Sequence, residues 1–270
     1  MSEAPSAPEP TPATVSSWSL RGVRAAFLFL TRIPVGGGPY SEAEWQRATG
    51  HFPLVGAALG VLLALLALLL RPHLGAPATA LLVLAASMLL TGAFHEDGLA
   101  DTADALGGAF DREKLFVILK DSRVGTYGAA ALTVSLGLRA SLLSQLDTAM
   151  PLAIVLSQCV ARLPPVVLMR RLPYVTSATD AGEAKSRLVA RASGDELRTA
   201  SLWVAALVTG AFLAGGLPLG RVLAMLALLG LATTLLGRRF RVRAGGITGD
   251  FLGATEQVAE CLVLLVLVWR

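Results

Sequence analysis

The sequence predicts an all-α fold, a polytopic transmembrane helical bundle of about seven spans with an interfacial amphipathic helix near its N-terminus. Three observations carry this expectation. Hydrophobic residues make up 54% of the 270 residues and charged residues only 16%, with a mean hydropathy of +0.64. An ordinary soluble domain is about 25% charged. The apolar residues come in long blocks, not in amphipathic stripes. The basic residues gather in alternate connections between the blocks. The formal net charge of +4 is modest, and in such a chain it bears on orientation more than on nucleic acid.

Taken in order, residues 1–17 carry proline at 5, 8, 10 and 12 and no apolar bulk, which reads as a disordered tail. This stretch lacks the basic start and apolar core of a signal peptide. Residues 18–33 (WSLRGVRAAFLFLTRI) set Arg21, Arg24 and Arg32 around an apolar stripe. It is too short and too charged to span, so an interfacial helix is expected. Blocks long enough, or nearly so, to cross roughly 30 Å of hydrocarbon fall at 52–70, 78–94, 127–146, 150–169, 200–217, 219–237 and 256–269, the last being short. Residues 18–270 thus form one membrane-embedded catalytic domain with no internal repeat. Cys159 and Cys261 lie inside apolar runs and read as buried small hydrophobes, not a disulfide.

With the N-terminus placed in the cytoplasm, 18 of the 23 Lys and Arg residues fall in cytoplasmic segments. They cluster as Arg21 to Arg47, Arg112 to Arg123, Arg170 to Arg198 (with Lys185 and Arg187), and Arg238 to Arg243. Arg71, Arg139, Arg162, Arg221 and Arg270 lie in spans or on the other side. This bias follows the positive-inside rule and supports both the spans and their orientation.

The polar motifs lie on the same side. In FHEDGLADTADALGG (94–108), Asp97, Asp101 and Asp104 are spaced i, i+4, i+7 and share a helix face. Carboxylates so placed repel unless a cation sits among them. An oxygen-only donor set suits Mg²⁺ or Mn²⁺. Glu96, on the neighbouring face, could complete a second metal site, and Gly98 would let a bulky ligand approach. The plain alternative is a solvated acidic helix end, against which the Ala and Gly between the acids argue. His95 is either a hydrogen-bonded anchor or a catalyst. In ILKDSRVGTYG (118–128), Lys120 and Arg123 suggest a phosphate clamp, although the positive-inside rule alone also places cations there. GGITGDFLGA (245–254) offers Thr248, Asp250 and four glycines for close backbone approach, or simply a turn-rich loop. LTRIPVG (30–36) adds Arg32, facing an anionic ligand or headgroups, and HFPLVGAALG (51–60) completes the set. Arg162 lies well inside a span, where a charge needs a partner in the bundle interior.

These five segments, in this order, resemble the cobalamin synthase (adenosylcobinamide-GDP ribazoletransferase) family over residues 25–265. HEDGLADTAD is the specific string, and the other four are weak singly. The one small departure is Ala105-Leu106, where a glycine is expected after the last aspartate. The resemblance implies an Mg²⁺-dependent transferase of cobalamin biosynthesis in the bacterial or archaeal cytoplasmic (inner) membrane. It would join adenosylcobinamide-GDP to α-ribazole, or its 5′-phosphate, and release GMP. Asp97, Asp101, Asp104 and Glu96 would hold metal. An aspartate of the cluster (Asp104) or His95 would take the proton. Lys120, Arg123, Arg32, Arg162, Thr248 and Asp250 would contact substrate. The expected partners are those two small molecules and the lipid bilayer, with no nucleic acid and with a homo-oligomer left open. The alternatives are a cation-coupled secondary transporter, or an enzyme like the CDP-alcohol phosphotransferases. The second is disfavoured because Ala100 is followed by Asp101 and not by Arg.

Overall fold

The computed structural model describes residues 19–175 and 189–269. The tail expected at 1–17, together with Lys185, Arg187 and Arg270, lies outside the described residues. Among the described residues the chain is helical, with one isolated parallel bridge between Tyr174 and Ile247.

The elements are α1 (Leu20–Leu30), α2 (Glu42–Ala48), α3 (Phe52–Thr91), α4 (Phe94–Gly108), α5 (Arg112–Leu119), α6 (Thr126–Gln145), α7 (Met150–Val160), α8 (Leu163–Arg171), α9 (Gly194–Leu213), α10 (Leu219–Ala244) and α11 (Gly249–Val268). Local chemistry sets their ends. Ser41 with Glu44, and Ser193 with Glu196, form capping boxes at α2 and α9. Pro164 and Pro165, lacking N–H donors, fit the first turn of α8 and separate it from α7.

Five helical stretches are long and apolar enough to cross a membrane: Glu42–Thr91, Asp147–Arg171, Gly194–Leu213, Leu219–Ala244 and Gly249–Val268. Seven blocks were expected, and two physical features explain the difference. First, Glu42–Thr91 joins two expected spans. Non-helical Gly75 (φ 70°, ψ 177°) lies between Pro72 and Pro77 and turns the chain back. A straight 40-residue helix would hold its ends about 60 Å apart. Yet the Phe29 ring lies 5.8 Å from that of Phe52 and 5.7 Å from that of Phe94. Both ends of α3 therefore lie at one end of the bundle. Second, α6 has span length at 20 residues but carries Arg139 and several serines, which lower its hydropathy.

α7, α8 and α11 form the interior, whereas α10 is mostly turned outward. One apolar cluster fills the half of the bundle around Leu63, Leu143, Ile154 and Val263. A second, around Leu30, Phe52, Ala105, Phe240 and Phe251, underlies the end that carries the motifs. α1 runs as an amphipathic helix, but its Gly22, Ala25, Ala26 and Leu30 are buried against protein. At the opposite end Arg71 bonds Asp147 at 2.5 Å, and Arg221 donates to the Trp269 carbonyl at 3.3 Å.

Candidate active site

The acidic stripe has a helix of its own. Gly92 (φ 74°) and Ala93 (φ 55°) take left-handed backbone between α3 and α4, so FHEDG opens a new helix and does not end the second span. Arg32 lies directly over Gly92, where any Cβ would collide with its guanidinium. Along α4, Asp97 is exposed while Asp101 and Asp104 are half-buried. Burial, reinforced by the charges of Asp97 and Asp104, pushes the Asp101 carboxyl up to about 6. A divalent cation would relieve that repulsion, so the donor chemistry fits such an ion. Among the described residues, however, no three His, Cys, Asp or Glu side chains enclose a metal position by themselves.

Asp104 is tied into the scaffold. Its Oδ2 accepts the Gly125 N–H at 2.7 Å and its Oδ1 the Gly128 N–H at 2.9 Å. A carboxylate suits the positive end of a helix, and here it fixes the start of α6 to α4. At Gly125 a Cβ would lie 2.5 Å from Asp104 Oδ1, so the glycines of VGTYG admit the carboxylate. Asp104 therefore has an architectural role, each of its oxygens holding one backbone donor.

Glu96 faces the interior and not the acidic stripe. Its Oε1 accepts from Arg139 Nη2 at 3.1 Å and from Gln257 Nε2 at 3.3 Å. Arg139 also bonds Glu260 at 2.9 Å, and Gln158 Nε2 donates to the other Glu260 oxygen at 2.9 Å. Arg162 pairs with Glu256 Oε1 at 3.2 Å and bonds the Gln158 carbonyl and side chain. Glu96 is thus part of a buried lattice of two arginines and three glutamates, in which each carboxylate faces a guanidinium.

His95 stands where this lattice meets the motif end, with Nδ1 3.7 Å from Glu256 Oε2. Burial, and then the nearby Arg162, push the ring down to about 3 against the opposing charge of Glu96. The ring lines a cavity together with Arg162, Asp250 and Glu256.

Two cavities adjoin across Phe29 and Phe94. One, of 190 Å³, has walls of Phe52, Pro165, Met169 and Tyr174 and polar groups from His95, Arg162, Asp250 and Glu256. The other, an open cleft of 540 Å³, is lined by Thr31, Arg32, Pro34, Gly92 and Asp97. Segments distant in sequence thus meet: LTRIPVG, the start of HFPLVG, FHEDG, Arg162 and GGITGD.

A scan of family models matches residues 22–268 to cobalamin-5-phosphate synthase. A curated adenosylcobinamide-GDP ribazoletransferase from Leptothrix cholodnii is 41% identical over 246 residues, covering 89% of this chain and 92% of that protein. Proteins of the same name from Shewanella amazonensis and Bradyrhizobium diazoefficiens are each 39% identical, covering 90% of this chain and 93% and 92% of their own length. No solved structure matches. The chain belongs to the cobalamin-5-phosphate synthase family.

In this chain several of the residues expected to contact substrate also make bonds within the protein. Thr248 caps α11, accepting the Phe251 N–H at 3.3 Å, while Asp250 reaches the enclosed cavity. Close backbone approach at Gly98 and Gly253 is taken by protein, not ligand: a Cβ on Gly98 would lie 2.9 Å from the Asp250 carbonyl and 3.2 Å from Gly253 Cα. Lys120 and Arg123 line neither cavity. Arg123 is exposed, and its fork grips Asp121 at 2.9 and 2.6 Å, holding that carboxyl down to about 2. Just beyond the KDSR segment, the Gly125–Asp104 bond ties the chain to α4. Sequence reasoning missed Arg139, Gln158, Glu256, Gln257 and Glu260. Their signal was present: two glutamates four apart open the last apolar block, and two arginines stand inside other spans.

Proposed function

We propose that this chain is an adenosylcobinamide-GDP ribazoletransferase, joining adenosylcobinamide-GDP to α-ribazole or its 5′-phosphate and releasing GMP. The observation that carries the reading is the meeting of four motif segments and Arg162 around two adjoining cavities, in a chain whose relatives bear that activity in their names. A ribazole hydroxyl forms a new O–P bond at the phosphoryl group next to the aminopropanol, and the bond from that phosphorus to the GMP oxygen breaks. Arg32, which lines the open cleft together with Asp97, would hold the pyrophosphate. The adjoining cavity, walled by Phe29, Phe52, Phe94 and Tyr174, would take an apolar part of the substrates. Asp97 and Asp101, with Asp104 beside them, would hold Mg²⁺ or Mn²⁺. Such an ion, bound by one or two carboxylates and completed by substrate phosphate oxygens, supplies neutralisation of the developing charge. The basic bias supports a site on the cytoplasmic face of the bacterial inner membrane.

The secondary-transporter reading has no support in the comparisons, and the acidic stripe lies on α4, outside the five long apolar helices. The experiment is GMP formation by purified protein in detergent with both substrates and Mg²⁺. Release of GMP with no sealed compartment is expected. Failure of well-folded protein to form GMP would overturn the reading.

A further inference from the structure

α10 passes the end of α8 at the basic end of the bundle, and a second kind of cavity lies between them. It has a volume of 200 Å³ and is lined by Leu168, Leu172, Gly237, Arg171, Arg238 and Arg241, among others. The floor is apolar and closed: a Cβ on Gly237 would meet Leu168 Cδ2 at 2.8 Å. The neighbouring hydroxyls are spent inside their own helix, Thr233 on the Leu229 carbonyl at 2.6 Å and Thr234 on that of Gly230 at 2.7 Å. The chemistry left to the groove is cationic. All three arginines are exposed, and among the described residues none is paired with a carboxylate. Arg21, Arg71, Arg123, Arg139, Arg162 and Arg198 each face one, so the three groove arginines belong to the larger set whose charge is open to a ligand, and what sets them apart is their meeting over one apolar floor.

The dipole at a helix C-terminus explains part of this. Arg171 closes α8, and Arg241 lies in the last turn of α10 and donates to the Arg171 carbonyl at 3.4 Å. It does not explain Arg238, which stands more than a turn before the end of α10, nor a groove between two helices. The outward face of α10 continues away from the arginines through exposed Leu235, Leu231 and Leu223. Cations over an apolar floor, at the head of a lipid-facing helix, complement a molecule with an anionic head and apolar tails.

We propose that this groove binds the headgroup of an anionic phospholipid, with phosphate on Arg171, Arg238 and Arg241 and acyl chains along α10. The proposal is independent of the transferase reading. It gives the lipid a place in the architecture, because α8 also sends Pro165 and Met169 into the enclosed cavity.

The test is native mass spectrometry of the full chain purified from membranes. Exchange follows, into nanodiscs of phosphatidylcholine alone or with phosphatidylglycerol or cardiolipin. Wild type is expected to retain anionic lipid at a fixed stoichiometry and to melt higher in the anionic discs. Removing one cation should weaken retention about fivefold, and Arg171→Gln, Arg238→Gln and Arg241→Gln combined about 100-fold. Should the triple variant not insert, Arg238→Gln alone is read against Arg239→Gln, which removes a charge one residue along but outside the groove. Equal loss in those two variants, or equal retention of phosphatidylcholine, would overturn the proposal in favour of diffuse surface attraction.

Discussion

Replacing Arg139 by methionine should damage this protein more than most single changes in the lipid-facing shell. Arg139 is 1% exposed and bridges Glu96 at 3.1 Å and Glu260 at 2.9 Å. Its loss leaves two buried carboxylates without their counter-charge. Breaking a buried pair by removing one member costs about 3–5 kcal/mol, because the remaining charge is stranded. At 2–4 °C per kcal/mol for a chain of this size, the melting temperature should fall by roughly 6–20 °C. Fluorescence-detected size exclusion of heated, detergent-solubilised protein would measure it. The triple change Arg139→Met, Glu96→Gln and Glu260→Gln should recover much of the loss, since removing all the charges together is often nearly neutral. A single variant melting within about 2 °C of wild type would refute the reasoning, and so would a triple variant worse than the single.

Asp104→Asn turns one acceptor into a donor facing a backbone N–H, at a cost of about 1–3 kcal/mol, and should speed amide exchange at residues 125–129. Gly98→Val forces a side chain into the space held by the Asp250 carbonyl and Gly253, so activity should fall sharply in protein that still inserts. Arg123→Lys alters an exposed pair of the kind worth under about 1 kcal/mol; the Michaelis constant for adenosylcobinamide-GDP should move less than about threefold, and a tenfold rise would restore the phosphate-clamp reading. Single cysteines at 112 and 241 should label from one side of the membrane and one at 148 from the other, since Arg243 reaches the Ala109 carbonyl at 2.6 Å while Asp147 bonds Arg71 at the far end.

Much of the architecture was legible because the bilayer imposes long apolar blocks and sorts charge by side. The reversal at Gly75 follows from a glycine between two prolines, and α4 is helical with its aspartates on one face as their spacing requires. What could not be read were partners. Whether Glu96 joins Asp97 or turns to Arg139 depends on which helix packs against α4. The hold of Asp104 on the start of α6 is hidden in sequence, because its donors, the N–H groups of Gly125 and Gly128, lie more than twenty residues away. The glycines of GGITGDFLGA announced a close approach correctly, but not that another helix of the same chain makes it. Arg123 beside Asp121 shows the limit of charge patterns: the same cation serves orientation, a local fork or a ligand, and only its surroundings decide.

If the aspartate face of α4 carries the chemistry, turnover must collapse in Asp97→Asn and in Asp101→Asn. Both side chains are free of the structural bonds that hold Glu96 and Asp104, so substitution should leave insertion and melting temperature close to wild type. GMP formation from adenosylcobinamide-GDP and α-ribazole, measured at saturating Mg²⁺, should fall by at least about 100-fold in each. Near-normal turnover in both, in protein that inserts and melts normally, would contradict the account and move the reacting centre away from α4.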